Sequence, residues 1–184
     1  AFGSHSDSDH VYNTPRAWAM QRFLNPHAGP WDSAAPADDF GPESDFLPWC
    51  REPERKVTIE DVKYVLSLHY QGTPYDPYGN GPSGARGIYR PIGINRNCQL
   101  AVLQLRPHVD ASRAALQWVS LGSNVFNALV PFYANVTETP AYLADTATRV
   151  TTDSFYWANR LVAALADAAY AACLPHVERY QERL

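Results

Sequence analysis

Pro26, Pro30, Pro36, Pro42, Pro48 and Pro53 punctuate residues 25–56, and aspartates and glutamates fill much of the space between them. Each proline lacks a backbone N–H and fixes its own φ, so neither a regular helix nor a central strand can run through this stretch. About thirty residues are thereby committed to a long surface crossing, and a loop of that length inside a domain wraps something or serves a function.

The core has to come from the flanks. Residues 12–24 read as a helix with Thr14 at the cap, Pro15 in the first turn, and Trp18, Phe23 and Leu24 facing inward. Residues 1–11 ahead of it are small and polar and are expected as an irregular arm. After the crossing, Thr58 and Asp61 have the spacing of a capping box. Ile59, Val62, Val65, Leu66 and His69 then recur at helical spacing. This helix must stop before Gly72, which can turn the chain in the left-handed region, and Pro74, which forbids continuation.

Past a glycine-rich stretch at 79–87 the pattern changes. GIYRPIGI (87–94), CQLAVLQLRP (98–107) and AALQWVSLG (114–122) read as strands, with β-branched and apolar residues in partial alternation. Residues 125–133, VFNALVPFY, are ambiguous, because Pro131 argues against a regular central strand. From Asp153 the chain reads as helical to its end, capped by Asp153 or Thr152. Phe155, Leu161, Val162, Leu165, Ala169, Ala172 and Cys173 form the apolar stripe, and Pro175 is placed to kink or split it. Helices flanking antiparallel strands, with no internal repeat and no linker, give an α+β class.

Composition excludes several functions. In 184 residues, 46% hydrophobic and 18% charged content marks a globular chain. A net charge of −4 with scattered basic residues offers no stripe for nucleic acid. No apolar run reaches the ~18 residues of a membrane span. The sequence assigns no compartment.

No G-x-S-x-G, P-loop, H-E-x-x-H or paired C-x-x-C is present. His5, Asp7, Asp9 and His10 are metal-ligand types, but a solvated arm is the stronger reading. Cys98, at the start of an apolar strand, reads as a buried structural thiol rather than a nucleophile. Cys173 reads as core. Arg90, Asn95, Arg96 and Asn97 are polar groups set between β segments. An arginine can hold a carboxylate bidentately and an asparagine can donate to an oxyanion. The competing reading is solvation of an edge strand plus a turn at 93–97. His69, at the expected helix end, suits the C-terminal dipole.

Five stretches in register resemble one family. KVTIEDVKYVLSLHYQGTPYD (56–76), YRPIGINRNCQLAVLQLRP (89–107), LQWVSLGSNVFNALVPFYANVTETP (116–140), TTDSFYWANRLVAALAD (151–167) and YNTPRAW (12–18) are similar to segments of the N-terminal-nucleophile dipeptidases, which include dipeptidase D and the secernins. The resemblance implies a layered αββα fold and hydrolysis of dipeptides without metal or cofactor. The nucleophile would be an N-terminal cysteine whose own α-amino group is the base. This chain begins Ala1-Phe2-Gly3, and the matched segments belong to the C-terminal portion of family members. The expectation is therefore residues 1–184 as the C-terminal part of one such domain, with no catalytic residue of its own. Its partner would be the nucleophile-bearing N-terminal half or subunit. Arg90, Asn95 and Arg96 would orient substrate or support the oxyanion, and His69, Tyr70, Gly72 and Asp76 would form a structural corner. Ala101 stands where family members often carry histidine, and Asn97 where threonine is commoner. The alternative is a non-catalytic module that binds a peptide or partner on the same scaffold.

Overall fold

A computed structural model describes residues 5–29, 31, 40–144 and 146–183. The chain divides into two compact units, Ala1–Ile94 and Asn95–Leu184. The division falls inside the polar strand region, where the sequence shows no linker.

The first unit is helices and turns. Helix α1 spans Asp7–Tyr12, α2 Thr14–Leu24 and α3 Ile59–Leu66. The expected irregular arm is thus corrected at residues 7–11, and residues 1–4 lie outside the described residues. Ser6 caps α1 by accepting from the Asp9 N–H, and Asp7 and Asp9 sit in the first turn, where the helix dipole favours negative charge. In α2, Pro15 occupies the first turn as expected, but the cap position is Asn13 rather than Thr14. Both halves of the α3 capping box are made. Thr58 Oγ1 accepts from the Asp61 N–H (3.1 Å), and Asp61 Oδ2 accepts from the Thr58 N–H (2.9 Å). The Arg55 guanidinium also donates to both Asp61 oxygens (2.7 and 2.5 Å), which with the capping bonds holds that carboxyl well below the usual range.

The helix ends at Leu66, short of the expected His69. The N–H groups of Ser67 and Leu68 turn back to the Tyr64 and Val65 carbonyls, tightening the last turn and leaving His69 beyond it. Trp18, Val65, Leu68, Tyr70 and Tyr89 form the core of this unit. Trp18 meets Tyr75 edge-on at 6.4 Å, and Tyr75 packs against Tyr89 at 4.8 Å. The crossing also feeds this core. Trp31 is buried, donates its indole N–H to the Asn25 carbonyl (2.7 Å) and meets Phe40 edge-on. Residues 30 and 32–39 of the crossing lie outside the described residues.

GIYRPIGI is no strand, which corrects a second expectation. Its backbone groups find partners outside any sheet: Arg90 N–H to the Val11 carbonyl (3.0 Å) and Gly93 N–H to the Leu68 carbonyl (2.8 Å). Gly93 presses so closely on the end of α3 that a Cβ there would lie 2.3 Å from the Ser67 carbonyl oxygen. Only glycine fits such an approach, and the tethered segment cannot also enter a ladder.

The second unit is built on a three-stranded antiparallel sheet in the order β1-β2-β3: Gln99–Leu105, Ala115–Leu121 and Val130–Tyr133. Val102 faces Trp118 across the first pair, and Trp118 faces Pro131 across the second. Pro131 is tolerated because β3 is an edge strand and has one neighbour to satisfy. A single 3₁₀ turn at Ala111–Arg113 lies between β1 and β2. Three helices follow: α4 Ala141–Ala144, α5 Phe155–Ala168 and α6 Tyr170–Gln181.

The C-terminal helix departs from expectation in three ways. Its cap is Ser154, not Asp153 or Thr152. It breaks at Ala169, whose backbone leaves the helical region (φ −140°, ψ 49°), while Pro175 lies inside α6. The face it buries is Phe155, Asn159, Ala163 and Ala166, whereas Leu161, Val162 and Leu165 are exposed. α5 is apolar on most of its surface, so spacing alone could not choose the face. The side laid on β2 carries small alanines, which allow close approach. Cys98 is exposed, not buried, because it precedes β1 instead of pointing into a core. Cys173 is half-buried.

Among the described residues no helix is long and apolar enough to cross a membrane.

Candidate functional site

In the first unit the densest polar geometry sits just after α3. The His69 ring and the Asp76 carboxylate are both buried and meet at 2.9 Å, with Nδ1–H donating to Oδ1. A carboxylate oxygen only accepts, so the proton of this bond sits on Nδ1. The same Oδ1 accepts from the Tyr78 N–H (2.9 Å), and the Tyr78 ring stands edge-on to the imidazole at 5.2 Å. The turn between these residues is closed by Thr73, which donates through both its N–H (3.1 Å) and hydroxyl (2.7 Å) to the Tyr70 carbonyl.

Two residues in this turn take the left-handed region: Gly72 at φ 77° and, less expectedly, Tyr70 at φ 68°. A tyrosine there costs on the order of 1 kcal/mol or more and persists only when its surroundings over-determine it. Here the ring is buried between Tyr89 and the rest of the core, and its hydroxyl donates to the Arg90 carbonyl (2.8 Å). Burial of that hydroxyl raises its pKa far above the usual tyrosine range. Arg16 Nε donates to the same carbonyl (3.2 Å). The Arg90 guanidinium lies over the Tyr12 ring at 5.5 Å, so this side chain is engaged in packing.

The other two predicted site residues, Asn95 and Arg96, lie in the second unit, and both are exposed. The Asn95 amide donates to the Asp167 carboxylate (2.7 Å). Among the described residues the Arg96 guanidinium has no hydrogen-bond or ion-pair partner. Asn97 donates to Asn124 Oδ1 (2.8 Å), the entrance to a polar interior that sequence reasoning missed.

Ser120, Ser123, Asn124, Asn127 and Asn159 are all buried. Asn127 Nδ2 donates to the carbonyls of Ser123 (2.8 Å), Leu121 (3.2 Å) and Asn159 (3.4 Å). Yet Asn127 Oδ1, Asn159 Nδ2 and Ser120 Oγ have no hydrogen-bond partner among the described residues. Burying polar atoms with their capacity unused is expensive, and native proteins retain few such groups. The available signal was the serine and asparagines inside an otherwise apolar run, LGSNVFNALV. It was read as an ambiguous strand because pattern analysis weighs apolar positions.

The suspected metal-ligand set is absorbed otherwise. His5 and His10 both meet Asp45 Oδ1, at 2.8 Å each. Among the described residues no group of three or more His, Cys, Asp or Glu side chains is arranged to hold a metal ion.

Comparison with known proteins covers the whole chain. The model of peptidase family C69 matches residues 1–183. The dipeptidase of Bifidobacterium longum (strain NCC 2705) is 64% identical over 184 residues, all of this chain and 34% of that protein. A probable dipeptidase A of Streptococcus pyogenes serotype M18 (strain MGAS8232) is 50% identical over 183 residues, 99% of this chain and 37% of its own length. Dipeptidase A of Lactobacillus helveticus is 42% identical over 170 residues, 92% of this chain and 34% of its own length. The chain thus spans about a third of the curated relatives it matches.

Proposed function

The chain belongs to peptidase family C69, and on that premise we propose that it is the C-terminal part of a cysteine-dependent dipeptidase with the layered αββα fold of the N-terminal-nucleophile hydrolases. In this reading the attacking thiol belongs to a cysteine that opens the mature enzyme, in the portion these residues do not include. Its own α-amino group takes the thiol proton and the thiolate attacks the peptide carbonyl carbon; the C–N bond then breaks as the amine leaves with that proton, and water hydrolyses the thioester to release the acyl group and restore the thiol. The chain alone hydrolyses no dipeptide, because it contributes no nucleophile.

One observation carries this reading: relatives named dipeptidase match the chain from end to end while extending to nearly three times its length. The antiparallel sheet with α5 laid against β2 is compatible with one sheet-and-helix half of a layered fold. The His69–Asp76 corner holds the end of α3 and takes no part in the chemistry.

Arg96 is the substrate-orienting candidate with a guanidinium still unengaged, and the carboxylate of a dipeptide is its natural bidentate partner. Asn95 is held by Asp167, and Arg90 by the Tyr12 ring, so their roles are in placing the segment.

The test is dipeptide hydrolysis by the intact polypeptide and by residues 1–184 alone, each before and after thiol alkylation. The expected result is activity only in the intact protein, lost on alkylation. Hydrolysis that survives alkylation overturns the cysteine mechanism. Within the intact protein, Arg96→Ala should raise KM by roughly 10- to 100-fold with a smaller change in kcat, as the loss of a charged hydrogen bond predicts, and Arg96→Lys should recover part of it.

A further inference from the structure

An antiparallel sheet with one face on a core and one in water alternates apolar and polar residues along each strand. The sheet of the second unit does not. Leu116 and Ser120 of β2 point to the buried face, on the side of α5. The register brings the opposite set together. Ala101 pairs with Val119 and Leu103 with Gln117, and across β2 Val119 pairs with Val130 and Gln117 with Phe132. Gln117 and, at the end of β1, Gln99 interrupt this apolar surface. Leu103 and Leu105 are 77% and 80% exposed, on a regular strand whose backbone is fixed by its ladder. Val119, Val130 and Phe132 on the same face are half-buried.

We propose that the outer face of this sheet, centred on Leu103 and Leu105, is the surface on which the remainder of the same polypeptide packs. The occupant follows from length. The chain spans 34% of the Bifidobacterium longum relative, so in a protein of that size nearly two thirds of the residues remain to cover it. A row of fixed, aligned leucines offers complementarity to a broad apolar surface, and it carries no charge to bind an ion or a charged ligand. The inference rests on the reading of the chain as part of a longer dipeptidase. It adds which face is covered and by what.

The experiment places a thiol at the face, Leu103→Cys, in the intact polypeptide. Maleimide labelling at position 103 is then followed by peptide mass spectrometry, so that the native cysteines are read separately. Dipeptide hydrolysis is assayed in the same sample. Position 103 should label ~100-fold or more slowly in the native protein than in denaturant, as expected for a buried segment that opens only transiently. Labelling at the denatured rate in an active, folded enzyme overturns the surface and leaves the peptidase reading standing. Protection in a protein without hydrolysis does the reverse. Protection that appears only as protein concentration rises assigns the face to a second copy and overturns the proposal. A second variant, Leu105→Lys, should sharply lower the yield of folded intact polypeptide while leaving residues 1–184 expressed alone no less soluble. An unchanged intact yield overturns the proposal.

Discussion

Several buried polar groups in the unit that ends at Ile94 meet in close pairs, although the Trp18 indole N–H, Gln21 Oε1 and one Arg51 guanidinium nitrogen there have no partner among the described residues. Asp61 is held by Arg55 and Thr58, His69 by Asp76, and Trp31 by the Asn25 carbonyl. Trp18, Trp31, Tyr70 and Tyr89 gather inside, while Phe46 and Trp49 are exposed on an irregular loop and Tyr12 and Tyr64 on helices. The unit that begins at Asn95 is turned the other way. Serines and asparagines fill its interior, and its most exposed leucines stand in line on a strand. Hydrophobic burial stabilises by roughly 25 cal/mol per Å² removed from water, so Leu103 and Leu105 on their strand leave stabilisation unused. A regular strand arranged in this way suits contact with something further.

The sharpest way to break this contrast is to hollow the first unit. Trp18→Ala removes the most buried tryptophan, and a truncation of that size should destabilise by about 3–5 kcal/mol. Hydrogen exchange read peptide by peptide should show the loss across α2, α3 and residues 67–92. An effect under 1 kcal/mol would mean this core is not what holds the unit.

Asp76→Ala leaves the His69 imidazole buried without its carboxylate and should cost about 3 kcal/mol by urea denaturation, with Asp76→Asn recovering part of it. If both variants unfold like the wild type, the pairing that distinguishes the first unit is incidental.

A smaller effect comes from Lys63. Burial pushes its ammonium from 10.5 down to about 8. The folded state then binds this proton less tightly than the unfolded state, so stability from this group rises as pH climbs from about 8 to 10.5. Lys63→Met should stabilise at pH 7 by ~2 kcal/mol, given that the side chain is only partly buried, and should flatten that part of the pH profile. Thermal melts at pH 7, 9 and 10.5 decide it.

The smallest effect belongs to the second unit. Leu105→Thr in residues 1–184 alone should change stability by no more than about 0.5 kcal/mol, because a residue in water has little folded-state contact to lose. A loss above 2 kcal/mol would show that this face is already covered.

Much of the local structure was readable. The Thr58–Asp61 spacing marks a capping box because those two side chains bond the backbone of their own turn. Gln99–Leu105 and Ala115–Leu121 read as strands because β-branched and apolar residues alternate there. The residues of the His69 turn fall within eight positions, so their proximity is a matter of chain length. Tyr70's left-handed backbone was not readable, since it is stabilised by Tyr89 and the Arg90 carbonyl, some twenty residues away. GIYRPIGI has strand propensity, and its backbone bonds went to Val11 and Leu68 instead.

The sequence by itself determined the capping box that opens α3, the segments that became β1 and β2, and which family the chain resembles. These are properties of short windows, in which a side chain acts on its own backbone or a motif is matched in register. Tertiary structure alone decided which faces are buried. It set the alanines of α5 against β2 and left Leu161 and Leu165 outside, took Ser120 and Asn127 into the interior, and left Leu103 and Leu105 in water. An apolar residue has no preference among apolar surfaces. Its burial is settled by what packs over it, and that partner lies far along the chain.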